Sequence, residues 1–409
     1  MRIALEGGKI LTMTNREPVV EGTVIVGNDT IEAVGPSGSA QIKEHVDLCF
    51  DIKGKTVMPG LIDSHLHVGS DGHPDYFGQR LKDTAPYVAI RAGVNAGKDL
   101  DAGFTAIRDA GAIGYADVAC KRAITEGLIP GPRILVSGHM LMMTGPDGFY
   151  RPEISFKRPG IINSPDEARF AARQEIKSGA DVIKIVASGS IVADEASPPG
   201  APQLTVDEMK AAIDVAHKMG KKTMAHAHGA ESIKNAVLAG IDSIEHGTLL
   251  DMECIDLMLE RDVFLVPTLA PTRRLRDYGA ESGIPQYMID RMEMITEERV
   301  PRLMQAFKQG VKIAFGTDCG MPYFYHGENA FELELLVEAG LPPWDALLTA
   351  TKIGAECLDH GQELGTLEPG KLASLIVVDG DPLKDIRILQ DLKKIRLIVK
   401  EGTVQKNTL

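Results

Sequence analysis

Two histidines separated by a single residue occur in the stretch DSHLHVG. His65 and His67 follow a short apolar run, which predicts that they lie at the end of a β-strand. Successive side chains of a strand point to opposite faces, so both imidazoles would share one face and Leu66 would lie on the other. Converging imidazole nitrogens are suited to a divalent metal ion such as zinc. The alternative is two polar residues at the edge of a loop.

Further side chains of the kinds that bind metals occur where other apolar runs give way to glycine-containing loops. The stretch AHAHG carries His226 and His228, IEHGT carries His246, and GTDCG carries Asp318. The carboxyl ends of parallel strands meet at one face of an α/β barrel, and functional residues gather there. The recurrence of these residues at strand ends predicts one metal centre. Core histidines bonded to backbone are the alternative, and it applies most to His228.

Lys184 lies inside another apolar run, ADVIKIVASGS, which predicts a buried strand. A buried ammonium loses its hydration, so either its pKa falls or an acid such as Asp181 or Glu195 neutralises it. Charge balance suggests a third outcome. If the metal centre holds two divalent cations, Asp318 is the only negatively charged ligand among the residues named above. A neutral amine can react with carbon dioxide to form a carbamate, whose two oxygens can bridge two metals. We predict this modification of Lys184.

These residues need a scaffold that brings strand ends together. Between residues 58 and 359, eight apolar runs alternate with helical patterns such as TVDEMKAAIDVAHKMGK and AESIKNAVLAG. This alternation predicts an α/β fold, a (β/α)8 TIM barrel, with a doubly wound sheet as the alternative. The stretch EASPPGAPQL and residues 272–290 are predicted to be long loops over the barrel mouth.

The two ends of the chain are rich in short strand patterns separated by turn residues. Residues 1–57 and 360–409 share this character, and each is too short to bury a sheet alone. We therefore predict that they pack together as a small β-sandwich domain, which leaves residues 58–359 as the barrel domain.

Composition limits the classes of partner. A net charge of −13 over 409 residues argues against a nucleic-acid surface. The five cysteines are scattered without paired spacing, which favours a reducing compartment over a disulfide framework. The first residues lack a signal-peptide pattern, and no run is long enough to span a membrane. We expect a cytoplasmic protein with a small-molecule substrate and neither a nucleic-acid nor a membrane partner.

The chain resembles the metal-dependent amidohydrolase superfamily in VMPGLIDSHLH, a lysine on the fourth strand, HAHG, IEHG and FGTDCG. The resemblance covers essentially the whole chain, including LGTLEPGKLASLIVVDGDP. It is greatest to the imidazolonepropionase-related branch, which contains binuclear Xaa-Pro and Xaa-Arg dipeptidases, other metallocarboxypeptidases and ochratoxin-cleaving amidases. One departure is the loop MMTGPDGFY, which lacks the histidine of the Gly-Gly-His-Gly run found in many of those dipeptidases.

The resemblance implies two divalent metal ions, expected to be zinc, bridged by a hydroxide. The more buried ion would be bound by His65, His67 and Asp318. The more exposed ion would be bound by His226 and His246, and carboxylated Lys184 would bridge the two ions. Asp318 would take the proton of the hydroxide and pass it to the leaving amine. His139 would polarise the scissile carbonyl, and His228 would contact substrate. Candidates for binding a substrate carboxylate are Arg273, Arg274 and Tyr323.

These residues predict a binuclear hydrolase that cleaves an amide bond in a dipeptide or N-acyl amino acid. One alternative is a mononuclear cyclic amide hydrolase or deaminase, for which Glu231 offers an acid/base near His226. A xenobiotic amidase or lactonase would use the same metals on another scissile bond. A non-catalytic relative would have lost ligands that this chain keeps. Barrel hydrolases commonly self-associate, so we expect a homo-oligomer.

Overall fold

A computed structural model describes residues 1–38, 46–145, 159–190, 198–278 and 285–409. Glu195 and most of the loop MMTGPDGFY lie outside the described residues. The strands are β1 (Arg2–Ile10), β2 (Val19–Gly27), β3 (Thr30–Pro36), β4 (Leu48–Asp51), β5 (Thr56–Pro59), β6 (Leu61–Leu66), β7 (Phe104–Asp109), β8 (Arg133–Leu135), β9 (Val182–Val186), β10 (Lys222–Gly229), β11 (Ser243–Leu249), β12 (Phe264–Val266), β13 (Leu375–Val378), β14 (Ile395–Lys400) and β15 (Thr403–Asn407).

Helices separate most of the central strands. They are α1 (Tyr76–Lys82), α2 (Ala85–Asp101), α3 (Ala116–Thr125), α4 (Pro165–Ser178), α5 (Val206–Lys218), α6 (Ala230–Ala239), α7 (Met252–Arg261), α8 (Ala270–Tyr278), α9 (Gln286–Gln309), α10 (Phe331–Ala339), α11 (Pro343–Thr349) and α12 (Lys352–Cys357). Within the described ranges, no helix combines the length and apolar character needed to cross a membrane.

The central strands form two parallel sheets, ordered β6-β7-β8 and β12-β11-β10-β9. Strands β6, β7 and β9 are buried along their whole length, as expected where helices cover a parallel sheet. Isolated parallel bridges connect the sheets to each other and to the segment before Gly320: Leu141 with Ile185, Leu66 with Cys319, and Leu265 with Ile313. The alternation of strands and helices confirms the predicted α/β class.

The last predicted barrel strand, KIAFGTDCG, is not a regular strand. Its backbone does contact both neighbours, because Ala314 N donates to Leu265 O at 2.9 Å and Ser64 N donates to Phe315 O at 2.8 Å. Asp318 has a left-handed backbone with φ of 56°, which interrupts extended pairing. In the described chain, regular pairing therefore does not close the two sheets into a barrel.

Both ends of the chain contribute to one mixed sheet, ordered β15-β14-β13-β5-β1-β2-β3, with β4 also paired to β1. The ends meet where β13 runs antiparallel to β5, with Ile376 opposite Met58. Gly7 adopts a φ of 83° at an irregularity of β1, so that β1 pairs with β4 before it and with β5 after it. The strands pair as one sheet, so the β-sandwich remains a prediction.

The prediction of a loop over residues 272–290 is wrong for the parts that the structure describes. Residues 272–278 belong to α8 and residues 286–290 begin α9. The polar composition conceals a sparse apolar stripe, because Leu275, Met292 and Ile295 are buried in one cluster with Tyr323. Such a stripe is sufficient to hold a helix whose other faces are charged.

Candidate metal centre

Three strand ends bring histidines into contact. The ring centroids of His65 and His246 are 5.1 Å apart, and those of His226 and His246 are 4.6 Å apart. His228 lies 4.6 Å from His226 and 4.7 Å from His246. Two groups of possible metal ligands, each with ligand atoms within 4.8 Å of one another, share His246: His226, His228 and His246; and His65, His246 and Asp318.

Strand register and the irregular backbone of His246 together account for this convergence. In the parallel pair β10–β11, His226 lies opposite Glu245 and Ala227 lies opposite His246. His246 has a φ of 72°, an uncommon value for a residue with a side chain. Together with the left-handed Asp318, it places strained backbone at the candidate site, a feature that often accompanies function.

A buried carboxylate orients His65. Glu245 Oε2 lies 2.5 Å from His65 Nδ1, and Glu245 Oε1 accepts from Arg108 Nη2 at 3.1 Å. Burial alone would raise the pKa of Glu245, but Arg108 and His65 outweigh it and lower that pKa to about 2. Glu245 is therefore ionised at neutral pH, and the opposite ring nitrogen, Nε2, of His65 is left to face Asp318.

Three other histidines are held through the same ring nitrogen. Their Nδ1 atoms pair with neighbouring oxygens: His67 with Gly111 O at 3.1 Å, His228 with Thr248 Oγ1 at 2.7 Å, and His246 with Thr268 Oγ1 at 2.7 Å. Partners of this kind fix ring orientation in metal sites and leave Nε2 for the ion.

The buried polar atoms without hydrogen-bond partners in the described part of the chain include two of this cluster, Nε2 of His226 and Oδ1 of Asp318. Asp318 Oδ1 lies 3.5 Å from His65 Nε2 and 3.3 Å from His67 Nε2. An unpaired carboxylate oxygen among imidazole nitrogens is a donor set that suits a divalent cation. The residues present therefore fit the metal that the sequence implies.

Burial keeps His226, His228 and His246 neutral, the form that binds metals. It lowers the pKa of His226 and of His246 well below the ordinary value, and neighbouring imidazoles add to the effect. For His228, burial and then the charge of Arg299 lower the pKa to about 3. Burial also acts on Asp318, in the direction of a higher pKa, but His65 and His67 outweigh it and hold that pKa below its usual range.

Lys184 is buried in β9, with 2% of its surface exposed. Burial lowers the pKa of its amine to about 8, although the charges of Glu245 and Asp318 oppose the shift. Asp181, one predicted partner, instead accepts from Lys121 Nζ at 2.6 Å. Considering only residues that the structure describes, Nζ of Lys184 has no ion pair. The amine is thus buried beside the histidine cluster, and it loses its proton more readily than an exposed lysine does.

His139 lies at the same end of the sheets but outside the histidine cluster. Its Nδ1 is 3.3 Å from Glu175 Oε1, and its ring packs edge-on against Tyr115 with centroids 4.4 Å apart. Both rings line an apolar cavity of about 350 Å³. Gly111, the partner of His67, lies next to Ala112 in the cavity wall.

The structure does not bring the predicted carboxylate-binding arginines to the histidines. Arg273 pairs with Asp277 and with Glu338, at 3.2 and 3.1 Å. Arg274 pairs with Glu328 at 2.7 Å, and its guanidinium also lies 4.3 Å from the Phe331 ring centre. These contacts direct both guanidinium groups towards α10 and the segment before it. Tyr323 is buried and stacks on Tyr278 with centroids 4.9 Å apart.

Sequence reasoning missed the buried residues that orient the centre, above all Glu245 and Arg108. Arg108 is 1% exposed and donates from Nε to Ser64 O at 2.6 Å. The charged residues inside the apolar runs FTAIRDAG and DSIEHGT were the available signal, because an ion in a buried strand requires a partner.

The chain matches known proteins along most of its length. The Amidohydrolase family model matches residues 56–404. Ochratoxinase of Aspergillus niger is 29% identical over 413 residues, which cover 95% of this chain and 84% of ochratoxinase. A prolidase structure complexed with N-methylphosphonate-L-proline is 32% identical, with a TM-score of 0.90 and full coverage of both chains. A Xaa-Pro dipeptidase structure with methionine bound in its active site is 30% identical, with a TM-score of 0.89 and full coverage of both.

An α/β fold with a histidine–aspartate cluster at its strand ends, together with these matches, defines a hydrolase that acts on amide bonds. The chain belongs to the amidohydrolase family, whose members are generally metal-dependent.

Proposed function

We propose that this chain is a binuclear metallohydrolase that cleaves the amide bond of a dipeptide or N-acyl amino acid. The observation that carries the proposal is the pair of ligand groups that share His246 beside a buried Lys184, whose amine pKa is lowered to about 8. We further propose that residues 58–359 form a (β/α)8 barrel and that residues 1–57 and 360–409 form a small β-sandwich. The bridges that link the two parallel sheets, and the pairing of β5 with β13, support this organisation. Cytoplasmic residence and self-association remain predictions.

In this proposal the predicted metal ligands keep the roles that the resemblance implies. His65, His67 and Asp318 hold one cation, and His226 and His246 hold the second. Two zinc ions, when bound, supply Lewis acidity, which lowers the pKa of a bound water towards neutral pH and polarises the carbonyl of the substrate. The carbamate of Lys184 contributes the negative charge that the imidazoles lack.

The remaining residues bind substrate and move protons. Asp318 accepts a proton from the attacking water and delivers it to the leaving amine. His228 contacts substrate through the nitrogen opposite the one paired with Thr248. His139, whose Nδ1 is beside Glu175, is proposed to bind the scissile carbonyl, and Tyr323 to contact the carboxylate of the substrate.

The names of the matched proteins support a substrate with an amino-acid portion. The solved relatives include a prolidase bound to a phosphonate of L-proline and a Xaa-Pro dipeptidase bound to methionine. The alternative of a mononuclear ring hydrolase has less support, because Glu231 is exposed in the first turn of α6.

A metal-content experiment tests the binuclear site. We expect wild-type protein grown with zinc to hold two ions per chain. Lys184→Ala should hold no more than one and should lose amidase activity by at least about 100-fold, with partial rescue by added short-chain carboxylates. Lys121→Ala is the control, because it removes a lysine amine that pairs with Asp181 outside the cluster. One ion per wild-type chain, with activity indifferent to Lys184→Ala, would reject the proposal.

A substrate panel tests the bond that is cleaved. Dipeptides, N-acyl amino acids, lactones and cyclic ureas should be compared by kcat/KM on the zinc-loaded protein. We expect turnover of dipeptides or N-acyl amino acids. Turnover confined to lactones or cyclic ureas would overturn the assignment.

A further inference from the structure

The apolar cavity beside His139 has a wall without fixed charges. Its volume is about 350 Å³, and we call it the Met140 cavity. The residues that the structure places in its wall are 112–115, His139, Met140, Met142, Pro159 and Ile161. They include no lysine, arginine, aspartate or glutamate. A ligand of this wall is therefore apolar.

Strand register places the wall on the same face of the sheet as Lys184. Leu141 N donates to Lys184 O at 2.8 Å, and this bond pairs Leu141 with Ile185 of β9. Leu141 and Ile185 point together into one buried cluster. Because successive side chains of a strand point to opposite faces, Met140 and Met142 lie on the other face, with Lys184.

Met140 connects the cavity to the metal centre. Gly111 O lies 3.1 Å from Nδ1 of His67, a proposed metal ligand. Gly111 has a φ of 138°, and a Cβ atom on it would lie only 2.6 Å from Cγ of Met140. The Met140 side chain thus packs directly on the residue that orients His67.

The wall is accessible to a ligand of substantial size. Ile113, Tyr115, Met140 and Ile161 are half-buried, so part of each side chain remains exposed. An apolar cavity of roughly 150 Å³ is sufficient to bind benzene, so the Met140 cavity admits an aromatic ring with a substituent. Methionine side chains adapt their shape to such a group.

Two proposed contacts indicate which part of the substrate enters the cavity. His139, the proposed partner of the scissile carbonyl, belongs to the wall itself. Tyr323, the proposed partner of the substrate carboxylate, lies beside the segment after β6, because its N donates to Gly72 O at 2.7 Å. The wall follows β7 and β8, at the other end of the sheet order β6-β7-β8. The acyl part of the substrate is therefore next to the cavity.

We propose that the Met140 cavity receives a bulky, uncharged apolar acyl group, so that the substrates are amino acids with an aromatic or branched N-acyl group. This inference rests on the proposed function, from which it takes the amide bond and the role of His139. The α-ammonium of a free dipeptide would lose hydration in the cavity without gaining a carboxylate from the wall residues named above.

Three alanine derivatives test this proposal through kcat/KM on the zinc-loaded full chain: N-dihydrocinnamoyl-L-alanine, N-acetyl-L-alanine and L-phenylalanyl-L-alanine. The first differs from the second by a benzyl group and from the third only by the α-ammonium. We expect kcat/KM for the dihydrocinnamoyl compound to exceed each of the others by at least about 10-fold.

Two variants assign that preference to the cavity. Ile113→Thr and Ile161→Thr each replace an ethyl group of the wall by a hydroxyl group, and each should lower the ratio of dihydrocinnamoyl to acetyl kcat/KM by about threefold or more. The fraction of active protein cancels in this ratio. Ile353→Thr is the matched control, because Ile353 is also half-buried but packs on the cluster of Ile62 and Phe264. It should keep the wild-type ratio.

Two outcomes would overturn the proposal: similar kcat/KM for the dihydrocinnamoyl compound and either of the others, or a wild-type ratio in both wall variants. Cleavage of all three compounds at similar rates would leave the proposed amidase function standing. If the chain cleaves none of them, that function fails, and calorimetric Kd values of the same compounds on the zinc-loaded chain decide on the cavity by the same comparisons.

Discussion

At the scale of single residues, the partners of Nδ1 in His65, His67, His228 and His246 fix the orientation of these rings in the centre. Glu245 differs from the other partners because it is a charged group, shared between His65 and Arg108. An ionised partner makes the imidazole a stronger ligand and prevents its rotation. The zinc affinity of the site is therefore expected to depend on Glu245, a residue that is not itself a metal ligand.

Glu245→Gln tests this dependence. The substitution keeps the shape of the side chain and removes its charge, so we expect zinc affinity to fall by about 10–100-fold, measured by competition with a chelator. Glu175→Gln is the matched control, because Glu175 is also a buried carboxyl beside a histidine, His139, outside the cluster. An equal loss of affinity in both variants would contradict the assigned role of Glu245.

The histidines were predictable from sequence because a residue of this type at the end of an apolar run is visible locally. Their partners were not. Arg108 and Glu245 are separated by 137 positions and lie on β7 and β11, strands of different sheets, so only the folded core brings them together as an ion pair. Lys184 was recognised as anomalous within its own strand, although its chemical state lies beyond what the sequence encodes.

At the scale of elements, His326 forms hydrogen bonds that connect the segment after β6 to helix α2. Its Nδ1 lies 2.8 Å from Asp99 Oδ2, and its Nε2 lies 3.1 Å from His67 O and 3.0 Å from Ser70 O. Both nitrogens thus face acceptors, which favours the doubly protonated ring. Burial lowers the pKa of His326, but Asp99 and the two carbonyl groups outweigh it, so the net shift is upward.

These contacts of His326 predict a pH-dependent contribution to the free energy of unfolding. The folded chain holds the His326 proton more tightly than the unfolded chain, so the contribution is complete below about pH 6.5 and is lost as pH rises through the higher folded-state pKa. His326→Gln should lower the free energy of unfolding by about 3 kcal/mol at pH 6 and by less at pH 9, measured with urea.

The difference between wild type and variant is measured at each pH, and the two differences are then compared. This comparison removes the pH effects of all other groups. His217→Gln provides the control, because His217 pairs with Asp242 at 2.8 Å but its side chain is 42% exposed. This control variant should show a much smaller difference between the two pH values. A His326 contribution to stability that increased with pH would contradict a protonated His326 in the folded chain.

Helices with strong local signals were predicted well. The pattern TVDEMKAAIDVAHKMGK corresponds to α5, which begins with a capping box between Thr205 and Glu208. The error at residues 272–290 has the opposite cause. The helical signal in α8 and at the start of α9 is carried by a few buried side chains, and their burial arises from packing with Tyr323, far along the chain.

At the scale of the whole molecule, the sheet shared by both ends predicts how truncations behave. Leu397 and Val399 of β14 are fully buried, whereas β15 alternates between exposed and half-buried positions. Removing residues 403–409 should leave a folded, zinc-binding protein. Removing residues 395–409 should expose the core between the two ends and make the protein insoluble.

Soluble yield, circular dichroism and zinc content measure the two truncations side by side. The shorter deletion is the control for the longer one, because both remove the end of the chain but only one removes buried side chains. Equal solubility and zinc content in both would show that the sheet contributes little to the remainder of the fold.

The pairing of β5 with β13 also bears on how the chain is made. Val57 lies opposite Val377, so a ribosome must synthesise everything between them before this pair can form. The buried residues of β1 and β5, such as Ile3, Leu5 and Val57, are synthesised before the partners that β13 and β14 supply. This sheet is therefore begun before the central strands and completed after them, and in that interval its apolar strands lack the neighbours that later shield them from aggregation.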